Sequence, residues 1–138
     1  MKFLIFVLSI LLYLCTNTQH PYNLADTKWS LIKITNMKTN QSQFADSTCK
    51  TTLNFINTVD YNGYSGWNQY NGHYTVKENN ILSMDNPVRT KRGGSRNCVL
   101  GESLYNHYSK AEKFLVEENT LILFTNDSLL ITFKKIKL

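Results

Sequence analysis

Short runs in which apolar and polar residues alternate follow one another along most of this chain, with turn residues between them. In the run 51–56, for example, Leu53 and Phe55 fall on one face and Asn54 on the other. Alternation with a period of two is typical of β-strands that bury one face. The other runs are 29–34, 73–77, 81–84, 114–117, 120–124 and 129–134. The chain is therefore predicted to be mainly β, and its polar stretch 35–50 is predicted to be a loop.

One segment, residues 100–111, does not follow the strand period of two. Its apolar residues recur at spacings of four and three, which places them on one stripe of a helix. The stripe consists of Leu100, Leu104, Tyr108 and Ala111. Glu102 near the start of the segment and Lys110 near its end both suit the helix dipole. This segment is predicted to be the one helix of the chain.

The last three runs are nearly continuous in apolar residues, which is typical of strands buried on both faces. The helix is expected to cover one of these faces. Closing an antiparallel sheet hides its edge strands, which matters in a chain so rich in β-forming residues. The predicted fold is mainly β (α+β): a small, barrel-like antiparallel sheet of about seven or eight strands with one helix packed on it. With 138 residues and no internal repeat, the chain is expected to hold one such domain.

The N-terminus has the pattern of an export signal. Lys2 supplies a positive charge, and the apolar run 3–14 follows it. Its twelve residues are too few to cross a bilayer, which takes about 20, but they fit the apolar part of a signal peptide. Small residues near Thr18 predict cleavage there, giving a signal peptide over 1–18 and a mature domain over 19–138. A retained N-terminal anchor is the alternative.

Cys15 lies at the end of this apolar run, where a bacterial lipoprotein carries its lipid-modified cysteine. Such a site has a small residue just before the cysteine, and Leu14 is large, which disfavours lipid anchoring. In either case the domain is predicted to be secreted, periplasmic or in the cell envelope. The mature chain then keeps Cys49 and Cys98, and two cysteines in an exported domain favour one disulfide. Two free, buried thiols are the alternative.

Several motifs occur in a specific order between residues 24 and 135. A leucine and a tryptophan strand come first, then a strand that ends in Phe55, and then a segment of glycines, asparagines and aromatics. A threonine, a cysteine and a glutamate that opens the helix follow, before the closing leucine-rich strands. The main residues of this set are Trp29, Gly63, Gly66, Trp67, Asn68, Gly72, Tyr74, Thr90, Cys98 and Glu102. In this order of motifs the chain resembles the META domain, or HslJ-like, family.

The resemblance implies a small β-barrel-like fold with one helix packed on the sheet, in which the motif residues are structural. Members of the family are typically exported or lipid-anchored bacterial proteins linked to heat or drug stress, and relatives in trypanosomatid parasites are linked to virulence. No enzymatic activity is established for the family. This chain has Trp67 where the family usually has a cysteine, so Cys98 is left to pair with Cys49 or to stay free. It also has a longer interval between Thr90 and Cys98, which contains Gly93-Gly94-Ser95-Arg96.

The aromatic residues of the glycine-rich segment form the first candidate site. Tyr64, Trp67, Tyr70 and Tyr74 would offer a stacking platform for a sugar or a peptide. Cross-strand packing that holds the barrel together is the alternative, and it is the favoured interpretation. Asn68 is predicted to cap its own turn, because asparagine readily bonds nearby backbone.

A basic run forms the second candidate site. The segment 89–97 is predicted to be a mobile connection, and four cations lie within it. They are Arg89, Lys91, Arg92 and Arg96. Such a loop would contact anionic lipid headgroups or surface polysaccharide, whereas a merely solvated loop is the favoured interpretation. Nucleic acid is not expected as a partner, because no nucleic-acid-binding motif accompanies the charges.

Metal, cofactor and catalytic sites are not predicted. His20, His73 and His107 lack the spacing of metal ligands, and the chain has no nucleophile elbow, P-loop or dinucleotide motif. The protein is therefore expected to be no enzyme. It is expected to be an exported, monomeric, stress-protective or binding module whose partner is an anionic envelope component or another protein, and whose mature domain does not span the membrane.

A small carrier of an apolar ligand is the alternative function. A barrel of about eight strands can hold such a ligand only where its interior side chains are small. The chain instead supplies large residues for the interior, which predict a filled core. They are Phe55, Trp67, Tyr74, Leu123 and Phe133.

Overall fold

Ten strands of one antiparallel sheet make up most of the described chain. The computed structural model describes residues 20–93 and 96–137. The strands are β1 (Thr27–Asn36), β2 (Gln41–Phe44), β3 (Thr51–Phe55), β4 (Asp60–Ser65), β5 (Gln69–Lys77), β6 (Ile81–Met84), β7 (Val88–Arg89), β8 (Ala111–Glu117), β9 (Thr120–Thr125) and β10 (Leu129–Lys135). Within these ranges there is one α-helix, α1 (Val99–Leu104). Single 3₁₀ segments lie at Glu78–Asn80, Arg96–Cys98 and Tyr105–Lys110.

β1 closes the sheet because it has partners on both sides. Its residues 27–30 pair with β3, and its residues 29–36 pair with β10. The ring β1-β3-β4-β5-β6-β8-β9-β10 is therefore a closed, eight-stranded antiparallel barrel. β2 lies beside β1 beyond the end of β3, and β7 lies beside β5 beyond the end of β6. The predicted small antiparallel barrel with one helix is confirmed.

Asparagines and other polar residues shape several of the tight turns between strands. Asn40 between β1 and β2, and Asn79 and Asn80 between β5 and β6, have positive φ angles of 56–59°. Asparagine tolerates this left-handed conformation better than most residues do. Ser128, at the turn between β9 and β10, also has a positive φ, of 67°. Local turn chemistry thus sets where the hairpins reverse.

Large side chains fill the interior of the barrel. Alternate residues of the strands point inward, as in β5 and β9, whose exposure alternates along the strand. The largest side chains with less than 2% exposure are Trp29, Phe55, Tyr61, Tyr108, Phe114 and Phe133. Tyr74 and Leu123 are also buried. The predicted filled core is present, except that Trp67 lies outside it, at the β4–β5 turn, with 39% of its surface exposed.

Three tyrosines pack against one another where the helical segment meets the barrel. The ring centroid of Tyr108 lies 5.9 Å from the ring centroid of Tyr61 and 5.3 Å from that of Tyr70. The Tyr70 and Tyr108 hydroxyls are 2.7 Å apart, and the Tyr70 hydroxyl also donates to the carbonyl of Thr52. Burial raises the pKa of both phenols, so they stay neutral. The cluster is thus held by ring packing and by satisfied hydrogen bonds.

The predicted helix is shorter in the structure than the apolar stripe suggests. The α-helix ends at Leu104, the chain continues as a 3₁₀ segment to Lys110, and Ala111 already belongs to β8. Ala111 pairs with Thr125 of β9, and the Lys110 carbonyl accepts a hydrogen bond from Asn126 N at 2.8 Å. Strand pairing requires an extended backbone at Ala111, and it ends the helical segment there. Leu104 and Tyr108 still face the core, as predicted.

Three further predictions are corrected by the sheet. The predicted loop 35–50 contains β2, and the predicted connection 89–97 begins within β7, which pairs with β5. The outer faces of the last strands are only half-buried, as at Ile122 and Leu130. Their apolar runs indicated burial on both faces, but a closed barrel buries one face of each strand, and α1 packs against β4 rather than over these strands.

The predicted signal peptide over 1–18, including Cys15, lies outside the described residues and stays a prediction. Among the residues that are described, no helix has both the length and the apolar character needed to cross a membrane.

Asp127 links the turn between β9 and β10 to the 3₁₀ segment Tyr105–Lys110. Its carboxylate accepts hydrogen bonds from Lys110 Nζ at 2.8 Å and Thr125 Oγ1 at 2.5 Å, and His107 Nδ1 lies 3.2 Å away. Partial burial raises the pKa of Asp127, but these hydrogen bonds and the neighbouring positive charges outweigh that effect. The pKa falls from its ordinary value of 3.8 to about 2.

Because the folded-state pKa is depressed, Asp127 stabilises the fold above the unfolded-state pKa near 4, and this contribution disappears as the pH falls towards 2. Asp127→Asn should therefore lower the free energy of unfolding by about 1 kcal/mol at pH 7, after allowance for solvent screening, and by much less at pH 2. Urea denaturation at several pH values measures this difference. Glu117→Gln, at an exposed position of β8, is the control. A difference between the Asp127 variant and wild type that does not change with pH would contradict the assignment.

Candidate functional site

Several of the motif residues that are far apart in the sequence meet at one end of the barrel. The carboxylate of Glu102 in α1 accepts hydrogen bonds from the Ser65 hydroxyl, from Asn68 Nδ2 at 3.1 and 3.2 Å, and from Arg89 Nη1 at 3.0 Å. Its side chain is 20% exposed. Together with Thr90, these residues are called the polar network below. The network joins the β4–β5 turn, β7 and the helix.

Asn68 is the second centre of the polar network. Its Oδ1 accepts hydrogen bonds from Thr90 Oγ1 at 3.0 Å and from Arg92 N at 2.8 Å, while its Nδ2 donates to Glu102. The residue is only 4% exposed, so its amide is buried with both ends bonded. The prediction that Asn68 caps its own turn is wrong, because its side chain bonds two other segments, the stretch that follows β7 and the helix α1.

Ser65 takes the capping role instead. Its hydroxyl accepts a hydrogen bond from Asn68 N at 2.9 Å and donates to Glu102. Ser65 was not among the residues predicted from the sequence. A serine three residues before an asparagine, at a turn between strands, is the signal that could have identified it.

The predicted disulfide between Cys49 and Cys98 is present, with an S–S distance of 2.02 Å. Cys98 directly precedes α1 and packs on Gly66, whose φ of +93° favours glycine. A Cβ at Gly66 would lie 2.9 Å from the Cys98 sulfur. Gly101 lets α1 approach just as closely, since a Cβ there would collide with the carbonyl oxygen of Ser65. The disulfide and the two glycines thus bring α1 close enough for the polar network to form.

The four basic residues of the second candidate site differ in their surroundings. The Arg89 guanidinium bonds Glu102 and lies 4.0 Å from the ring centroid of Tyr105, so its charge is compensated. Lys91 and Arg92 are exposed. The side chain of Arg96 lies outside the described part of the chain.

The four aromatic residues of the first candidate site do not share one face. Tyr70 and Tyr74 are buried inside the barrel, and Tyr74 packs edge-to-face on Phe55 with ring centroids 4.8 Å apart. Tyr64 and Trp67 are 37% and 39% exposed. A platform of all four rings is therefore excluded, and cross-strand packing accounts for Tyr70 and Tyr74.

The remaining motif residues lie in the barrel wall and core. Trp29 is fully buried and donates from Nε1 to Thr27 Oγ1 at 2.8 Å. Gly63 and Gly72 lie where a Cβ would collide with the rings of Tyr70 and Tyr61. These positions serve packing, as the resemblance implies.

His73 and His107 contact different acidic side chains. His73 on β5 lies 3.5 Å from Asp60 and 3.1 Å from Asp85, in an exposed position. His107 lies beside Asp127. In the ranges 20–93 and 96–137, no group of three or more histidine, cysteine or acidic side chains is arranged to hold a metal ion.

Comparison with known proteins agrees with this architecture. The family model of the META domain matches residues 22–137. Among solved structures, the NMR structure of a protein from Burkholderia xenovorans is similar, with a TM-score of 0.70, 19% identity, and coverage of 89% of this chain and 94% of that one. The crystal structure of a DUF4847 family protein from Bacteroides vulgatus has a TM-score of 0.58, 13% identity, and coverage of 83% and 96%. These structures share the fold. No curated protein sequence matches significantly.

Removal of the Glu102 carboxylate should weaken the fold. Glu102→Ala leaves Asn68 Nδ2 with only the long hydrogen bond to the Arg92 carbonyl, at 3.4 Å, and removes the carboxylate that Arg89 bonds, so we expect a loss of about 2 kcal/mol in the free energy of unfolding. Glu102→Gln keeps one acceptor oxygen and should lose less. Urea denaturation measures both, with Glu112→Ala, at an exposed position of β8, as the control. A Glu102→Ala variant as stable as the Glu112→Ala control would disprove the role of the polar network.

Proposed function

The chain belongs to the META domain family, and we propose that it is a non-enzymatic binding module that works outside the cytosol and contacts its partner through the outer surface of the barrel. The filled interior carries this proposal. Trp29, Phe55, Tyr61, Phe114 and Phe133 each have at most 1% of their surface exposed. Side chains of this size leave the outside of the barrel as the place for contact.

The apolar-ligand carrier receives no support from this interior. A carrier barrel of eight strands needs small inward side chains to leave a cavity. The inward positions here hold a tryptophan, tyrosines and phenylalanines instead.

A non-catalytic role is supported by the bonding of the polar network. The carboxylate of Glu102 is bonded by three donor side chains, those of Ser65, Asn68 and Arg89. A general base must be free to take a proton from a substrate. A carboxylate with three protein donors instead holds the β4–β5 turn and β7 against α1.

Two features support a location outside the cytosol. The apolar N-terminal run has the pattern of a signal peptide. The disulfide fits as well, because disulfides persist in oxidising compartments. When the full chain is expressed in a secretory host, we expect the exported protein to begin at Gln19 and to carry the Cys49–Cys98 bond. Intact mass and non-reducing peptide mass spectrometry measure both. Export would be contradicted if the chain stayed inside the cell with residues 1–18 still attached and with the thiols of Cys49 and Cys98 open to alkylation.

The exposed cations after β7 supply a contact surface for an anionic envelope component. Arg92 is held in place through its backbone, whose N–H bonds Asn68 Oδ1, while its side chain and that of Lys91 reach solvent. Each cation near an anionic membrane contributes about 1 kcal/mol to binding. Arg89 is not counted, because Glu102 compensates its charge.

Lys91→Glu/Arg92→Glu should therefore weaken binding to phosphatidylglycerol vesicles at least about tenfold and leave the melting temperature unchanged. Vesicle co-sedimentation at low salt measures the binding, with phosphatidylcholine vesicles as the neutral comparison. Lys113→Glu/Lys134→Glu, at exposed positions of β8 and β10, is the control of equal charge. If the two double variants bind equally, the anionic contact surface is refuted.

A further inference from the structure

A groove of about 550 Å³ runs over the outer face of the barrel, along β3, β4, β5 and β7. Strand register places side chains in rows across this face. Asn54 of β3 pairs with Asn62 of β4, Asn62 pairs with Asn71 of β5, and Asn71 pairs with Val88 of β7. Because directly opposed residues point to the same side of a sheet, three asparagine amides form one continuous row.

A second row lies beside the asparagines. Thr52 pairs with Tyr64, and Tyr64 pairs with Gln69. Tyr64 is 37% exposed and Val88 is 71% exposed. Apolar surface therefore lies beside the row of asparagines, at Tyr64, and at the end of that row, at Val88. The groove is therefore a polar strip with an aromatic ring in one row and an aliphatic side chain at the end of the other.

The amides of this strip are available to a ligand. Asn54 Nδ2 donates to Asn62 Oδ1 at 3.0 Å, which aligns the two side chains. The side-chain amides of Gln69 and Asn71 form no hydrogen bond with other described residues. Each amide supplies two donor hydrogens and an acceptor oxygen.

The groove carries almost no net charge. Its one charged lining residue is Arg89, whose guanidinium is bonded to Glu102 and stacked on Tyr105. An anionic ligand would find no uncompensated cation here. An apolar ligand would bury the amides without hydrogen-bond partners, which costs free energy. A neutral molecule rich in hydroxyls matches both the charge and the hydrogen-bonding groups.

We propose that this groove binds a neutral oligosaccharide. The amides of Gln69 and Asn71 bond sugar hydroxyls, and the ring of Tyr64 packs on the apolar face of a sugar ring. The volume lies within the range of small-molecule sites, about 300–1,000 Å³. The barrel wall and the polar network hold the groove rigid before the ligand arrives, which lowers the entropic cost of binding. The inference rests on the proposed function, in which contact occurs through the outer surface.

The test uses the exported protein and a panel of neutral oligosaccharides: maltohexaose, cellohexaose, laminarihexaose, xylohexaose and hexa-N-acetylchitohexaose. Oligogalacturonate is the anionic comparison. Saturation-transfer NMR and titration calorimetry measure binding. We expect at least one member to bind, and Gln69→Ala/Asn71→Ala to weaken that binding at least about tenfold. Tyr64→Ala should weaken it as well, and Tyr64→Phe should retain it because the ring remains.

Thr75→Ala, at an exposed position of β5 outside the groove, is the matched control and should bind as wild type does. Melting temperatures identify any variant that fails to fold. The inference is overturned if no member of the panel binds, if only the anionic oligogalacturonate comparison binds, or if the Gln69/Asn71 variant binds as tightly as wild type. If the wild-type protein still binds phosphatidylglycerol vesicles in those cases, the proposed function stands. If the wild-type protein binds neither the oligosaccharides nor the vesicles, the proposed function is overturned as well.

Discussion

The pairing of β1 with two neighbours, β3 on one side and β10 on the other, closes the sheet, and the other features of the molecule depend on this closure. A closed sheet removes the edges of its wall strands and gives each strand one inward face. Inward side chains as large as Trp29 and Phe133 then fill the space without a ligand. The same closure gives the barrel a continuous outer face, which is where we propose that its partner binds.

One end of the barrel holds both covalent and polar links between distant segments. The disulfide from Cys49 to Cys98 places the start of α1 against the β4–β5 turn, and Glu102 then reaches Asn68 and Arg89. The buried tyrosine cluster adds ring packing at the same end, through Tyr108. Buried polar groups are costly unless they are bonded, so this end is stable only when its segments come together.

The strands with clear alternation of apolar and polar residues lie close to their predicted positions. The predicted run 81–84 coincides with β6, and 51–56 differs from β3 by one residue. Predictions from the sequence were wrong where a tertiary partner decided the local conformation. Ala111 continues an apolar helical stripe, but its backbone pairs with β9. Trp67 has the size of a core residue, yet it lies at a turn on the surface, since size alone does not say which way a turn residue points.

The sequence by itself determined the class of fold, seven of the ten strands in their order along the chain and most of the residues large enough to fill a barrel, because periodicity and side-chain volume are local properties. Only the tertiary structure decided which residues meet. The contacts of Asn68 with Glu102 and Thr90, and the row from Asn54 to Asn71, depend on strand register and on the approach of α1. A shift of one residue in register would turn every side chain of a strand to the other face, so these sites exist only in the folded barrel.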